Sequence, residues 1–368
     1  MKIIRFTLRF SVALIITIVL ICAGLAISGN SHVIKAVRST YLQGKKGPTI
    51  DDYNKFENRK VEVGREQRWV NAPSYNEYKV AEELLKETED MKTVALVVIK
   101  DKKLVFEKYW NNYSENSKTN SFSMAKSFTS LCIGAAIMEG KIKSEYQKIG
   151  DFIPGLANSN VTIKDLLTMS SGIDFGESYG DPFGFMAKTY YGTDLFDLTV
   201  SKNQEKTPGL EWQYQGGNTL LLSFLIEKAT GKSLSAYFSE KFWQPIGAKQ
   251  AALWTLNEKD GIEKAYCCFY SNAKDYARIG QLMLDSGRWN DEQLISKAYF
   301  EQSIQPVNIS NNQGTNIDYY GYQWWLGSYK GVDFHYARGI QGQYIVSIPK
   351  WNTVVVRLGH RRDPERGA

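Results

Sequence analysis

Residues 122–139, FSMAKSFTSLCIGAAIME, decide more about the fold than any other stretch of this chain. The segment is nearly apolar on every side, and its alanines and Gly134 would let neighbouring elements approach closely. Gly140 follows directly, at the position that commonly ends a helix. We therefore expect a deeply buried helix over Phe122–Glu139, with Lys126 as the one lysine inside it.

Ser123 and Lys126 form a Ser-x-x-Lys pair at the start of this helix. Positions i and i+3 lie about 5–6 Å apart on one helix face, and the first turn has free N–H groups. Burial disfavours the charged form of a lysine, so a buried Lys126 could take the serine proton. The same spacing occurs at Ser271 and Ser347, but these suit a helix cap and a strand end. The alternative is a capping serine with a snorkelling lysine.

Composition excludes several classes of protein. Of 368 residues, 43% are hydrophobic and 23% charged, which fits a folded globular chain rather than a disordered one. The net charge of +6 forms no basic stripe, so we expect no nucleic acid partner. No HExxH or Cys/His cluster is present, so we expect no metal and no other cofactor. With three histidines (His32, His335, His360) and no GxSxG, a Ser-His-Asp triad is disfavoured.

The amino terminus has the pattern of a membrane segment. Lys2, Arg5 and Arg9 precede an uncharged stretch, residues 10–27, which as a helix would span ~27 Å. This predicts an uncleaved membrane anchor, with a cleaved signal sequence as the alternative. The order of charges favours a catalytic part outside the cytoplasm, in the periplasm or cell envelope. We divide the chain into residues 1–27, a linker or amino extension 28–75, and a domain 76–368.

Four cysteines are too few for a disulfide scaffold. Adjacent cysteines do not easily form a relaxed bridge. We therefore expect Cys267, Cys268 and Cys132 to be small buried hydrophobic residues.

The remaining pattern predicts an α+β fold. A β-hairpin comes first, helices dominate the middle, and strands return at the end, which implies one antiparallel sheet closed by distant segments and flanked by helices. Residues 173–207 are aromatic and irregular and suit a lid or pocket wall. The predicted strands are 93–99, 104–110, 322–327, 333–337, 343–348 and 353–358, and the other helices are 78–90, 162–169, 218–230 and 273–285.

Four stretches in a fixed order resemble the serine β-lactamase-related hydrolases. They are SMAKS at 123–127, TIKDLLTMSSG at 162–172, PGLEWQY at 208–214 and GIQGQ at 339–343. The similarity covers most of residues 76–360 and is greatest to the class C, esterase and 6-aminohexanoate-dimer hydrolase branch. It implies a β-lactamase/transpeptidase-like fold, with an antiparallel sheet and an inserted helical subdomain, and Ser123 and Lys126 as catalytic residues. Met169 stands where this branch usually has histidine.

The resemblance also implies a catalytic tyrosine beside the serine and lysine. Tyr214 follows the Pro-Gly loop and is the preferred candidate, although the family's Tyr-x-Asn pattern is absent there. Tyr109 and Tyr270 match Tyr-x-Asn literally, but they lie at a strand end and before a later helix.

Substrate-binding residues follow from the same resemblance. The N–H groups of Ser123 and Ile340, beside Gly339, would form an oxyanion hole. The family's Lys-Thr-Gly is missing, which argues against efficient β-lactam hydrolysis. Arg338 either holds an acidic group or is only a strand-edge charge. In 173–191, Tyr179 and Asp181 either line the acyl pocket or only pack.

The expected function is hydrolysis of a small-molecule ester or linear amide through an acyl-serine intermediate. One alternative is a cell-wall D-amino-acid peptidase, and another is a non-catalytic, membrane-tethered binding protein on the same fold. The resemblance also implies a helix after the last strand, for which residues 359–368 leave little room.

Overall fold

The computed structural model describes residues 2–362, without the side chains of Lys2, Ile3 and Arg5. Residues 363–368, the end of the tail just mentioned, lie outside the described residues. Two compact units are present. One comprises residues up to Pro48 together with Gly176–Leu198, and the other comprises residues 49–175 and those from 199 onward.

The helices in the described part are α1 (Lys2–Ile27), α2 (Ser31–Ser39), α3 (Glu82–Asp90), α4 (Met124–Met138), α5 (Ile163–Leu167), α6 (Phe185–Tyr191), α7 (Leu195–Val200), α8 (Gly216–Thr230), α9 (Leu234–Phe238), α10 (Ala273–Leu284) and α11 (Lys297–Ser303). The strands are β1 (Asn58–Val61), β2 (Val70–Asn71), β3 (Thr93–Lys100), β4 (Lys103–Tyr109), β5 (Thr119–Asn120), β6 (Ala252–Thr255), β7 (Phe269–Ser271), β8 (Arg288–Trp289), β9 (Glu292–Gln293), β10 (Ile309–Ser310), β11 (Asn316–Ile317), β12 (Trp325–Tyr329), β13 (Val332–Gly339), β14 (Gln343–Ile348) and β15 (Thr353–Gly359).

A seven-stranded sheet joins the two ends of the larger unit. Its strand order is β12-β13-β14-β15-β3-β4-β2, and β15 pairs with β3 antiparallel, so the last strand closes onto the early hairpin. All neighbours are antiparallel except β2 and β4, which run parallel. The predicted hairpin and the predicted sheet from distant segments are confirmed. Helix α10 covers one face, where a Cβ on Gly280 would lie 2.9 Å from Ile345 Cγ2.

Helix α4 is the buried helix that the sequence predicts, two residues later than expected at its start. Ser123 is its N-cap residue, and every residue from Met124 to Ala136 is buried. Gly134 lets the ring of Tyr299 approach, since a Cβ there would lie 2.6 Å from Tyr299 Cε1. The helix ends before Gly140, whose φ of +69° belongs to the left-handed region.

A second sheet, which the sequence analysis did not predict, leads into α4. Its strand order is β1-β6-β7-β5, and β5 ends three residues before Ser123. Strands β1 and β2 both come from residues 28–75, which we had expected to be a linker or irregular extension. Residues 58–61 and 70–71 therefore contribute to the sheets of the larger unit, and the exact start of the catalytic domain stays a prediction.

Two further expectations were wrong. Residues 173–207 are not irregular throughout, because they contain α6 and α7. Cys267 and Cys268 are buried as expected, but they are not free, because a disulfide joins them across one peptide bond. The backbone turns there, with Cys268 at φ +67°, which brings the neighbouring sulfurs together. Cys132 is a free buried cysteine as expected, and burial raises the pKa of its thiol.

In the smaller unit, Phe6–Ile27 of α1 is long and apolar enough to cross a membrane, and none of it is buried. A signal sequence near an amino terminus has the same properties, so both predictions for this segment stay open. His32 of α2 is buried, with its Nε2 2.9 Å from the Pro182 carbonyl oxygen.

Candidate active site

The backbone makes an unusual bend just before Ser123. Phe122 has a φ of +44°, a conformation that costs energy for a bulky residue and persists only where surrounding contacts impose it. Asn120 supplies one such contact, because its Oδ1 accepts a hydrogen bond from the Phe122 N–H at 2.8 Å. Asn120 Nδ2 donates in turn to the Tyr270 hydroxyl at 3.0 Å. Ser123 is partly exposed, whereas the residues on either side of it are buried.

Lys126 lies beside the serine and is buried. Only 1% of its surface is exposed, and its Nζ donates to Ser123 Oγ at 2.9 Å and to the Tyr266 carbonyl oxygen at 3.1 Å. Within residues 2–362, no carboxylate pairs with this lysine. Its amine is therefore placed to exchange a proton with the serine, rather than to neutralise an acid.

Tyr214 is the tyrosine that the structure brings to this pair. Lys126 Nζ lies 4.8 Å from the centre of its ring, within the range of a cation–π contact. The ring packs among aromatic side chains, with ring centres 5.4 Å from Trp325 and 6.0 Å from Tyr320. Tyr214 is half-buried, so this side of the site is aromatic but not sealed from solvent.

The two other tyrosine candidates lie in separate hydrogen-bond networks. Tyr270 is fully buried and accepts the hydrogen bond from Asn120. Tyr109 donates to Glu107 Oε2 at 2.6 Å. Burial raises the pKa of both phenols, and neighbouring acidic side chains raise it further. Neither contacts Lys126 in the described structure.

Tyr266 is a site residue that the sequence analysis missed. Its carbonyl oxygen accepts from Lys126, and its ring centre lies 5.6 Å from Lys126 Nζ. The ring packs against Gly216, where a Cβ would lie 3.1 Å from it. Gly216 occupies the third position of the family's Tyr-x-Asn pattern, so the Tyr266 ring fills space that an asparagine side chain would otherwise need. No local motif marks Tyr266, which lies 140 residues beyond Lys126.

Two backbone N–H groups next to the serine have no protein acceptor among the described residues: those of Ser123 and Ile340. Because Gly339 has no side chain, the chain around Ile340 can approach the chain that leads into Ser123. A Cβ on Gly339 would overlap the Ser121 carbonyl oxygen and lie 3.1 Å from Phe122 Cβ, so the end of β13 packs directly on the chain entering α4. Two unpaired N–H groups in such an arrangement suit a developing oxyanion.

Arg338 lies on the aromatic side of the site. Its guanidinium carbon is 4.5 Å from the centre of the Trp325 ring, and Tyr214 is one of the tyrosines that pack against that ring. Burial raises the pKa of the adjacent Tyr336 phenol, and the Arg338 charge opposes that rise. In the part of the chain that the structure describes, Arg338 has no carboxylate partner.

Tyr179 and Asp181 belong to the smaller unit, where both are exposed. The Tyr179 hydroxyl donates to Glu177 Oε1 at 2.9 Å, and Asp181 Oδ1 accepts from the Phe183 N–H at 2.9 Å. Their proposed place in the acyl pocket stays a prediction.

The other two histidines, His335 and His360, contact groups other than Ser123 and Lys126. His335 is buried between the rings of Phe300 and Trp324. His360 Nε2 lies 3.1 Å from the Tyr113 hydroxyl.

The fold agrees with the sequence comparison. Residues 81–368 match the Beta-lactamase family, and the chain belongs to that family. It is a serine hydrolase of the β-lactamase fold, not the non-catalytic binding protein that the sequence alone left open.

Relatives within the family include several kinds of hydrolase. The 6-aminohexanoate-dimer hydrolase of Paenarthrobacter ureafaciens is 24% identical over 75% of this chain and 75% of its own length. Penicillin-binding protein 4* of Bacillus subtilis (strain 168) is 25% identical over 57% of this chain and 53% of its own. Among solved structures, a Bacillus anthracis protein provisionally assigned as a 6-aminohexanoate-dimer hydrolase covers 86% of this chain and 89% of its own, with 24% identity and a TM-score of 0.75. A family VIII carboxylesterase, 16% identical, covers 80% and 94% with a TM-score of 0.63.

Proposed function

We propose that the protein hydrolyses small esters or linear amides through an acyl-enzyme on Ser123. The observation that carries this proposal is the contact between Ser123 Oγ and the buried, carboxylate-free Lys126 amine at the head of α4. A lysine held in this way can serve as the base that histidine provides elsewhere. The 6-aminohexanoate-dimer hydrolase relative supports a linear amide as one substrate class.

The reaction has two halves. Ser123 Oγ attacks the carbonyl carbon while its proton passes to Lys126 Nζ or the Tyr214 oxygen, and the oxyanion is held by the N–H groups of Ser123 and Ile340. The tetrahedral adduct then expels the alcohol or amine, which receives that proton. Water attacks the acyl-serine ester in the second half, gives its proton to the same base, and releases the acid as the serine regains its hydrogen.

β-Lactam hydrolysis is expected to be poor. In the family, the polar groups of Lys-Thr-Gly hold a lactam substrate, and this chain has Tyr336, Ala337 and Arg338 on that strand. A peptidase acting on D-amino acids is the second candidate, supported by the penicillin-binding relative.

The first test replaces the proposed nucleophile and base. Ser123→Ala is expected to lower hydrolysis by at least about 10⁴-fold and to abolish fluorophosphonate labelling, because no other group can form the acyl-enzyme. Lys126→Ala should lower the rate nearly as far, and Tyr214→Phe by about 10²–10³-fold, as expected for loss of proton transfer. Intact-mass detection of the acyl adduct, with p-nitrophenyl esters, linear amides, a D-alanyl-D-alanine peptide and a chromogenic cephalosporin, checks each variant.

Ser271→Ala is the control, since Ser271 heads another Ser-x-x-Lys, although it is buried whereas Ser123 is partly exposed. Its activity should equal that of the wild type. Normal hydrolysis by a folded Ser123→Ala protein would overturn the proposal.

We also propose that α1 anchors the enzyme in a membrane, with the catalytic unit on the extracytoplasmic side. The support is the uncovered apolar stretch Phe6–Ile27, preceded by basic residues. The protein should stay in carbonate-washed membranes and keep the mass of the uncleaved chain. A soluble product shortened near residue 27 would establish a signal sequence instead.

A further inference from the structure

The turn that carries the Ile340 N–H has an unfavourable backbone conformation. It connects β13 to β14 through Ile340, Gln341 and Gly342, and Gln341 has a φ of +63° and Gly342 a φ of +84°. The left-handed region is disfavoured for a residue with a Cβ, so Gln341 needs support from its surroundings to remain there.

Arg357 supplies that support from the neighbouring strand β15. Its Nη1 donates to the carbonyl oxygens of Gly342 at 2.6 Å and Gln341 at 3.3 Å, the two residues in the left-handed region. Its other donors fix the guanidinium to the start of β3: Nη2 to the Met91 carbonyl at 2.7 Å and Nε to Thr93 Oγ1 at 3.0 Å. The planar guanidinium of Arg357 therefore links the turn to the junction of α3 and β3 through hydrogen bonds.

The third carbonyl of the turn is also held. Gln343 Nε2 donates to the Ile340 carbonyl oxygen at 3.3 Å and to that of Gly359 at 2.6 Å. All three carbonyls of the turn are thus bound by the side chains of Arg357 and Gln343, while the Ile340 N–H has no acceptor in the described structure. Gly342 is required at its position because a Cβ there would overlap Arg357 Nη1.

The contacts of Arg357 are specific to this turn and strand junction. It is 8% exposed, burial lowers its pKa to about 10, and within residues 2–362 it pairs with no carboxylate. Its charge is stabilised by backbone carbonyls, which is how a guanidinium can fix the orientation of successive peptide groups.

We propose that Arg357 is a positioning residue for the oxyanion hole: by binding the carbonyls of Gln341 and Gly342, it orients the Ile340 N–H toward the developing oxyanion. This rests on the proposed acyl-enzyme function. Arg357 does not touch the substrate, so its loss should weaken stabilisation of the transition state more than binding of the ground state.

The experiment compares Arg357→Lys with Arg278→Lys. Arg278 is the control because it is also buried and binds two backbone carbonyls, those of Ile246 and Gln67, although unlike Arg357 it also pairs with a carboxylate, that of Asp275. With a p-nitrophenyl ester, Arg357→Lys should lower kcat by about 10²-fold and change KM by less than about threefold. The rate of fluorophosphonate labelling should fall with kcat. Arg278→Lys should lower Tm but leave kcat near the wild-type value.

If Arg357→Lys does not fold, Thr93→Val is the deciding variant. Valine has nearly the shape of the buried threonine and lacks only the hydroxyl that accepts from Arg357 Nε. It should lower kcat by about fivefold, because the guanidinium loses one of its fixed contacts. Unchanged kcat in the folded variants, with only Tm lowered, would overturn the inference. If the wild-type protein is never labelled at Ser123, the proposed function itself fails; if it is labelled and Arg357→Lys reacts equally fast, only the inference fails.

Discussion

The Arg338 guanidinium lies against Trp325, and Trp325 also contacts Tyr214. A positive charge in aromatic surroundings without a carboxylate partner is suited to an acidic group on a ligand. Since Tyr214 in turn lies beside Lys126, Arg338 and Lys126 border the same group of aromatic side chains. We therefore propose a substrate whose far end carries a carboxylate.

Arg338→Gln tests this proposal at the residue scale. The variant should lower kcat/KM for a linear amide or ester ending in a carboxylate by about 10–10²-fold, the loss expected for one charged hydrogen bond. The corresponding methyl ester should be affected by less than about threefold, because it has no charge to lose. Equal losses for both substrates would mean that Arg338 is a structural charge at the strand.

Ser123, Lys126 and Tyr214 can be proposed from the sequence because the serine–lysine spacing is local and the tyrosine lies in a stretch that resembles the family. Ser123 and Lys126 are separated by one helical turn, and Tyr214 follows a Pro-Gly loop. Asn120, Tyr266 and Arg357 could not be found in this way, since each acts through a backbone group or bend whose position depends on the folded chain. Hydrogen bonds to backbone carbonyls leave no pattern in residue types.

At the scale of elements, long and regular segments were predicted well, and short ones were missed. Helix α4 and the β3–β4 hairpin have clear periodicity, so their types follow from composition and spacing. Strands β5, β6 and β7 have only two to four residues, too few to show alternation, and they pair across long distances in the chain. The second sheet therefore could not be predicted, although it carries the bend before Ser123.

Gly339→Ala tests whether the close approach of β13 to the start of α4 matters. A Cβ at 339 would overlap the Ser121 carbonyl oxygen, so either strand β13 or the bend before Ser123 must move. We expect kcat to fall by about 10²-fold and the free energy of unfolding to fall by about 1–3 kcal/mol, as typical for overpacking. Enzyme kinetics and denaturant unfolding measure the two effects.

Gly155→Ala is the control for this prediction, because Gly155 has open space around its Cβ position and no left-handed φ. Its activity should be unchanged. Full activity in Gly339→Ala would show that the contact tolerates a methyl group without disturbing the oxyanion hole.

At the scale of the whole molecule, His335 is a buried group whose protonation affects stability. His335 is 3% exposed, and burial lowers its pKa to about 4 from a usual value of 6.5. The folded state therefore keeps this ring neutral where the unfolded chain binds a proton. Its stabilising contribution is complete above pH 6.5 and is lost as the pH falls toward 4, by about 1.4 kcal/mol per pH unit.

His335→Phe should remove this part of the acid sensitivity, because a phenyl ring fits between Phe300 and Trp324 without titrating. Between pH 7 and pH 4.5, the wild-type protein should lose about 2–3 kcal/mol more unfolding free energy than the variant. Urea unfolding at the two pH values gives the difference. Parallel losses in both proteins would show that His335 is not the group responsible.

The bridge between Cys267 and Cys268 has a different meaning from an ordinary disulfide. A crosslink restricts the unfolded chain more when it encloses a longer loop, with a logarithmic dependence on loop length, and this one encloses no intervening residue. It therefore restricts the unfolded chain very little. What it constrains is the direction of the backbone directly after Tyr266, whose carbonyl holds the Lys126 amine. The bond therefore acts locally, on the turn that follows the carbonyl bound to Lys126.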